Sequence, residues 1–99
     1  MEGMFYSASA FDQKLSNWDV SAVSDMSWMF YHAAAFNQDL SNWTVSAVTD
    51  MSRMFSSASV FNQDLSSWDI SGVGNMEHMS YDSGISEINQ NKIDEAWSL

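Results

Sequence analysis

Phe36-Asn37-Gln38-Asp39-Leu40-Ser41-Asn42-Trp43-Thr44-Val45-Ser46-Ala47-Val48-Thr49-Asp50-Met51-Ser52-Arg53-Met54-Phe55 reads almost unchanged when moved 25 residues in either direction. Phe11, Phe36 and Phe61 align, as do Gln13, Gln38 and Gln63, Leu15, Leu40 and Leu65, and Trp18, Trp43 and Trp68. Val20, Val45 and Ile70 follow, then Val23, Val48 and Val73, Met26, Met51 and Met76, and Met29, Met54 and Met79. Self-similarity at a fixed period is the signature of stacked units that bury a shared core. Met1, Met4 and Phe5 fall in the phase of Met26, Met29 and Phe30, so the sequence opens within a unit. The organisation predicted is one repeat domain over 1–99, with a partial unit at 1–10, units at 11–35, 36–60 and 61–84, and a C-terminal cap at 85–99.

Two periodicities alternate inside a unit. Met26, Met29, Phe30 and Ala33 lie at i, i+3, i+4 and i+7, which predicts a short helix, with Ser24 and Thr49 as N-caps and Asp25 and Asp50 in the first turn. Leu15, Trp18, Val20 and Val23 follow L-x-x-L-x-L-x-x-L spacing, which predicts a very short strand. The fold expected is an α/β repeat solenoid, leucine-rich-repeat-like, with one short parallel strand and one short helix per 25-residue unit. A capping helix is expected from Ser86 through Glu87 to about Trp97, with Ile85, Ile88, Ile93 and Trp97 as its apolar residues.

The strings Phe-Asn-Gln-Asp-Leu-Ser-x-Trp and Val-Thr-Asp-Met-x-x-Met-Phe within residues 36–55 resemble the bacterial surface-protein repeat of about 26 residues, related to the BspA-like leucine-rich repeats. The resemblance covers residues 1 to about 80. It implies a leucine-rich-repeat-like solenoid, a secreted or cell-surface location and a role in adhesion, and it carries no shared catalytic residues. The sequence departs from the pattern at Asp12-Gln13-Lys14, at Gly74 in place of Thr and at Ser80 in place of Phe.

Composition narrows the function. Thirteen acidic residues against three basic ones give a formal charge of −10, which repels phosphate backbones and argues against a nucleic-acid partner. Hydrophobic content of 45% and aromatic content of 14% indicate a folded chain. Cysteine is absent, which removes disulfides and thiolate chemistry. No apolar run reaches the length of a membrane span, no signal peptide or anchor is visible, and membrane insertion is not expected.

The periodic Trp column reads as core, and repeat columns account for nearly every notable residue, so no enzyme is expected. The variable positions Trp28, Tyr31, His32, Arg53, Glu77 and His78 are the expected interaction surface for a protein or glycan ligand, since exposed Trp anchors interfaces. Stacked carboxylates such as Asp25 and Asp50 raise a calcium-stabilised spacer as the alternative, although Asn37, Asn62 and Thr44 interrupt the acidic columns. No other cofactor is expected. Met1, Met4, Phe5 and Phe11 have no preceding unit in this sequence, which predicts a homodimer through that end or a longer parent array.

Overall fold

The computed structural model describes residues 1–98. Its organising feature is the row that begins at each Met-x-x-Met-Phe string. Alternate N–H groups of this row close turns on their own chain: Met29 onto Met26 at 3.3 Å, Tyr31 onto Trp28 at 3.2 Å and Ala33 onto Phe30 at 3.0 Å. The intervening N–H groups of Met26, Trp28, Phe30 and His32 donate to the carbonyls of Asp50, Ser52, Met54 and Ser56 in the next unit, at 2.9 to 3.1 Å. Gly3, Phe5 and Ser7 bond in the same way to Ser27, Met29 and Tyr31, and Met51, Arg53, Phe55 and Ser57 to Asn75, Glu77, Met79 and Tyr81.

The alternation comes from backbone handedness. Trp28 and His32 have φ of 61° and 57°, and their counterparts Arg53, Ser57, His78 and Asp82 lie between 55° and 60°. A left-handed residue at every fourth position interrupts the i to i−4 bonding that an α-helix requires and turns N–H groups toward the neighbouring unit. The helix predicted at Met26–Ala33 and its repeats is therefore absent. Asp25 and Asp50, expected as first-turn charges, occupy isolated parallel bridges that run Asp25 to Asp50 to Asn75.

The predicted strand is also absent. Trp18 N–H bonds to Leu15 C=O and Val23 N–H to Val20 C=O, both at 3.0 Å, so two successive turns replace the extended segment. With the backbone turned on itself, this half of each unit is joined to its neighbour mainly by side chains, backbone bonds between units returning at Ser24, Thr49 and Gly74. The indole N–H groups of Trp43 and Trp68 reach the carbonyls of Leu15 and Leu40, each at 2.9 Å. The Asp12 carboxylate accepts from Asn37 N–H and Gln38 Nε2, and Asn37 Oδ1 accepts equivalently from Asn62 N–H and Gln63 Nε2. The architecture is thus a compact stack of turns, 31 × 30 × 23 Å, and not the α/β solenoid of leucine-rich-repeat type that the periodicity predicted. Among the described residues the one helix is α1, Glu87–Trp97, and there is no sheet.

Burial holds this backbone in place. Met26, Met29, Phe30, Phe36, Leu40, Met51, Met54, Phe55, Phe61 and Leu65 are all fully inaccessible. Phe5, Phe30 and Phe55 stack with centroids 5.4 Å apart, and Phe36 packs on Phe30 at 4.3 Å as Phe61 does on Phe55 at 4.1 Å. Each left-handed residue costs about 1–2 kcal/mol. Each buried Phe, Met or Leu returns about 1.5–3 kcal/mol, and the core residues outnumber the left-handed ones in every unit.

Helix α1 closes the last unit. Ser86 Oγ accepts from Asn89 N–H as the N-cap, and Ile93 and Trp97 are buried. Ser86 N–H and Asn89 Nδ2 both bond to Asn62 Oδ1, reproducing the pair of donors that a further repeat supplies to each Asx side chain. Ile85 is half-buried, whereas Ile88, expected in the apolar stripe, is 70% exposed. Five residues before Ile93 and nine before Trp97, it lies roughly 140° and 180° around the helix from them at 3.6 residues per turn.

Candidate functional site

The turn rows carry the residues that differ between units. In the left-handed column stand Gly3, Trp28, Arg53 and His78, and three residues further on stand Tyr6, Tyr31, Ser56 and Tyr81. Stacking of the rows brings these columns into one strip. Tyr6 lies 5.1 Å from Tyr31 and 6.1 Å from Trp28 between ring centroids, and Trp28 lies 4.8 Å from Tyr31. The Arg53 guanidinium carbon sits 5.1 Å from the Trp28 ring centroid, within the range of a cation–π contact. His32 lies beside Tyr31 at 4.4 Å, and His78 beside Tyr81 at 5.1 Å.

Of the six sequence-predicted surface residues, Trp28, Tyr31, His32 and Arg53 therefore form one cluster. Trp28, Tyr31 and Arg53 are half-buried, and His32 is exposed. His78 is exposed and pairs with Tyr81, while the exposed Glu77 contributes its backbone, accepting from Arg53 N–H at 2.9 Å. Tyr6, 53% exposed, was not among the expected residues although it belongs to the strip, and Tyr81, 62% exposed, continues its column in the last unit. The signal that finds them is their column: Tyr6, Tyr31 and Tyr81 are spaced by multiples of 25. Glu2, Gly3, Tyr6 and Trp28 line a shallow depression of about 460 Å³ at one end of the strip.

At the N-terminal end, the Met1 ammonium donates to Asp25 C=O at 2.9 Å, and Phe5 stacks on Phe11 at 4.3 Å. Met1, Phe5 and Phe11 are half-buried against the core, whereas Met4 is 53% exposed. Trp18 is 39% exposed, against 4% for Trp43 and Trp68 in the same column.

Asp19, Asp25, Asp39, Asp50, Asp64 and Asp69 each accept within a local turn, and Asp12 ties one unit to the next. Ser27 donates both Oγ–H and N–H to Asp25 Oδ1, at 2.6 and 2.9 Å, and Ser21 does the same for Asp19. These bonds hold the Asp19 and Asp25 carboxyls below the ordinary value, the hydroxyl contributing most. Bonds from Ser41, Ser66 and Ser71 lower Asp39, Asp64 and Asp69 likewise, and bonds from Asn37 and then Gln38 lower Asp12. Among the described residues no three His, Asp or Glu side chains converge as a metal site. Nor is any helix among them long and apolar enough to cross a membrane.

A family model described as "Mycoplasma protein of unknown function, DUF285" matches residues 1–97, which takes in every turn row and the whole of α1. No curated protein and no solved structure matches the chain.

Proposed function

We propose that this chain, which belongs to the DUF285 family, is a non-catalytic interaction module whose binding surface is the aromatic strip of Tyr6, Trp28, Tyr31, His32 and Arg53. The observation that carries this reading is the continuity of the strip: rings from two successive units lie within 6.1 Å of one another, with the Arg53 cation laid over Trp28. Tyr, Trp and Arg are the side chains that supply most binding energy at protein interfaces. They also suit glycan stacking, since each presents a flat face with a polar edge. The variable columns change the surface while the Met and Phe columns hold the stack, so specificity is separated from stability.

Resemblance of residues 36–55 to the bacterial surface-protein repeat supports a secreted or cell-surface setting and an adhesion role. A formal charge of −10 favours a ligand that presents cationic groups beside its apolar contact. The test is binding of the labelled chain to intact cells, with untreated, protease-treated and periodate-treated surfaces compared. Trp28→Ser with Tyr31→Ser is expected to lower binding at least tenfold at unchanged melting temperature. Binding that ignores this double substitution would remove the strip from the function. Loss on protease treatment assigns a protein ligand, and loss on periodate treatment a glycan.

A further inference from the structure

Each turn row presents a ladder of N–H donors to the row that follows it, and the last row keeps its ladder free. Met76, His78, Ser80 and Asp82 occupy the columns of Met26, Trp28, Phe30 and His32, whose N–H groups all donate to the next unit. Among the described residues the N–H groups of Met76, His78, Ser80 and Asp82 meet no acceptor. The row nevertheless keeps the shape of the paired ones. His78 and Asp82 have φ of 55° and 57°, and the turn bonds Met79 to Met76, Tyr81 to His78 and Ser83 to Ser80 are all formed at 3.1 to 3.2 Å.

Helix α1 touches this row at Ser80 but leaves the four N–H groups unpaired. Its bonds to Asn62 and the stacking of Trp97 on Trp68 at 6.4 Å place it over the 61–74 half of the last unit. Between α1 and the free row lies a cavity of about 290 Å³, lined by Met76, His78, Ser80, Gln90, Ile93 and Trp97 among others. Its volume lies where the Phe column breaks: Phe5, Phe30 and Phe55 are followed by Ser80, whose hydroxyl bonds Gln90 Oε1 at 3.2 Å. Trp97, 7% exposed, lines the same cavity, and its indole N–H finds no partner among the described residues.

The geometry points to edge addition at this row: a peptide of the Met-x-x-Met-Phe type, in the turn conformation of the chain's own rows, docks on 76–82, placing its Phe ring over Ser80 beside α1. The chain itself supplies the chemical precedent. Residues 50–56 dock on 26–32 through the carbonyls of Asp50, Ser52, Met54 and Ser56, and Phe55 lies 5.4 Å from Phe30. Main-chain bonds then supply affinity and the aromatic pocket supplies selectivity, as in strand addition to a sheet edge. A peptide is the occupant rather than a whole second copy, because α1, about 10–12 Å across, stands where the next copy's 11–24 half would have to stack at closer spacing. This docking row is separate from the strip tested above at Trp28 and Tyr31.

The probe is an acetylated, amidated peptide with the sequence of residues 50–58, titrated into the ¹⁵N-labelled 99-residue protein. The amide resonances of Met76, His78, Ser80 and Asp82 are expected to move downfield together and to gain protection from solvent exchange. Replacing the peptide's Phe by Ala is expected to weaken binding at least tenfold. No movement of these four amides at millimolar peptide, or equal binding of the Ala peptide, overturns the proposal. Movement of the same amides with protein concentration and no peptide also overturns it, because the occupant is then a second copy.

Discussion

The indole Nε1 of Trp68 donates to the carbonyl oxygen of Leu40, 2.9 Å away, and the same oxygen accepts the backbone N–H of Trp43 at 3.0 Å; Leu15 C=O likewise takes the Trp43 indole N–H and the Trp18 backbone N–H. One carbonyl per unit thus closes its own turn and ties down the next unit's Trp. Trp97 takes the following place in the stack, yet its N–H has no partner among the described residues. Trp68→Phe removes a made bond, which costs about 0.5–1.5 kcal/mol, together with buried area. Trp97→Phe removes a donor already unpaired, whose burial costs about 1–3 kcal/mol, so the loss of area is offset. Thermal unfolding is expected to show Trp68→Phe clearly destabilised and Trp97→Phe near or above wild type; the reverse order would mean that Trp97 N–H is bonded in solution.

Left-handed backbone at Ser57, with φ of 60°, offers a second test. Gly at that position removes a steric cost of about 1–2 kcal/mol but gives back about 0.5–1 kcal/mol of unfolded-state entropy. Ser57→Gly is expected to raise stability slightly, and Ser57→Val, β-branched, to lower it by more than the Gly gain. Urea unfolding of both variants decides the matter. Equal destabilisation by Gly and Val would show that the position is not held in the left-handed region.

That column also explains where sequence reading succeeded and where it failed. The 25-residue register, the buried Met, Phe and Leu columns, and the start of α1 at Ser86 follow from side-chain identity, which the sequence states directly. The spacing Met26, Met29, Phe30, Ala33 is shared by a helix and by this chain of turns, because both return a side chain to the same face after three and four residues. What separates them is the sign of φ at Trp28 and His32, and neither residue type announces it as Gly would. Gly3 does stand in the column of Trp28, and it was the available hint. Leu15, Trp18, Val20 and Val23 misled similarly, since apolar spacing cannot tell a strand from two turns whose N–H groups close locally.

Acid should weaken the stack through its aspartates. The Asp12 carboxyl lies below its ordinary value because it accepts from Asn37 N–H and Gln38. A folded-state pKa depressed in this way contributes stability above the unfolded value near 3.9, and the contribution is lost as pH falls through the folded value. Asn37 and Asn62 show that Asn makes the same bonds without a charge. Asp12→Asn is therefore expected to match wild type in melting temperature at pH 7 and to fall less steeply below pH 4. Asp12→Ala is expected to lose stability at both. An identical acid slope in wild type and Asp12→Asn would assign acid sensitivity to the other carboxylates.

At the N-terminal end, a substitution that tests association has to spare the Phe stack. Phe5 is stacked between Phe11 and Phe30 at 4.3 and 5.4 Å, so Phe5→Asp would place a charge in the core and unfold the first row. Met4, 53% exposed, offers apolar surface that its fully buried counterparts Met29 and Met54 do not. If two chains associate through this end, Met4→Asp introduces like charges at the contact and removes apolar area, while leaving the Phe ladder intact. Light scattering after size-exclusion chromatography is expected to give a wild-type dimer at high protein concentration and a monomer for Met4→Asp, with equal melting temperatures at low concentration. A wild-type monomer at every concentration would mean that Met4 and the 39%-exposed Trp18 are tolerated in water, and that this end takes no part in self-association.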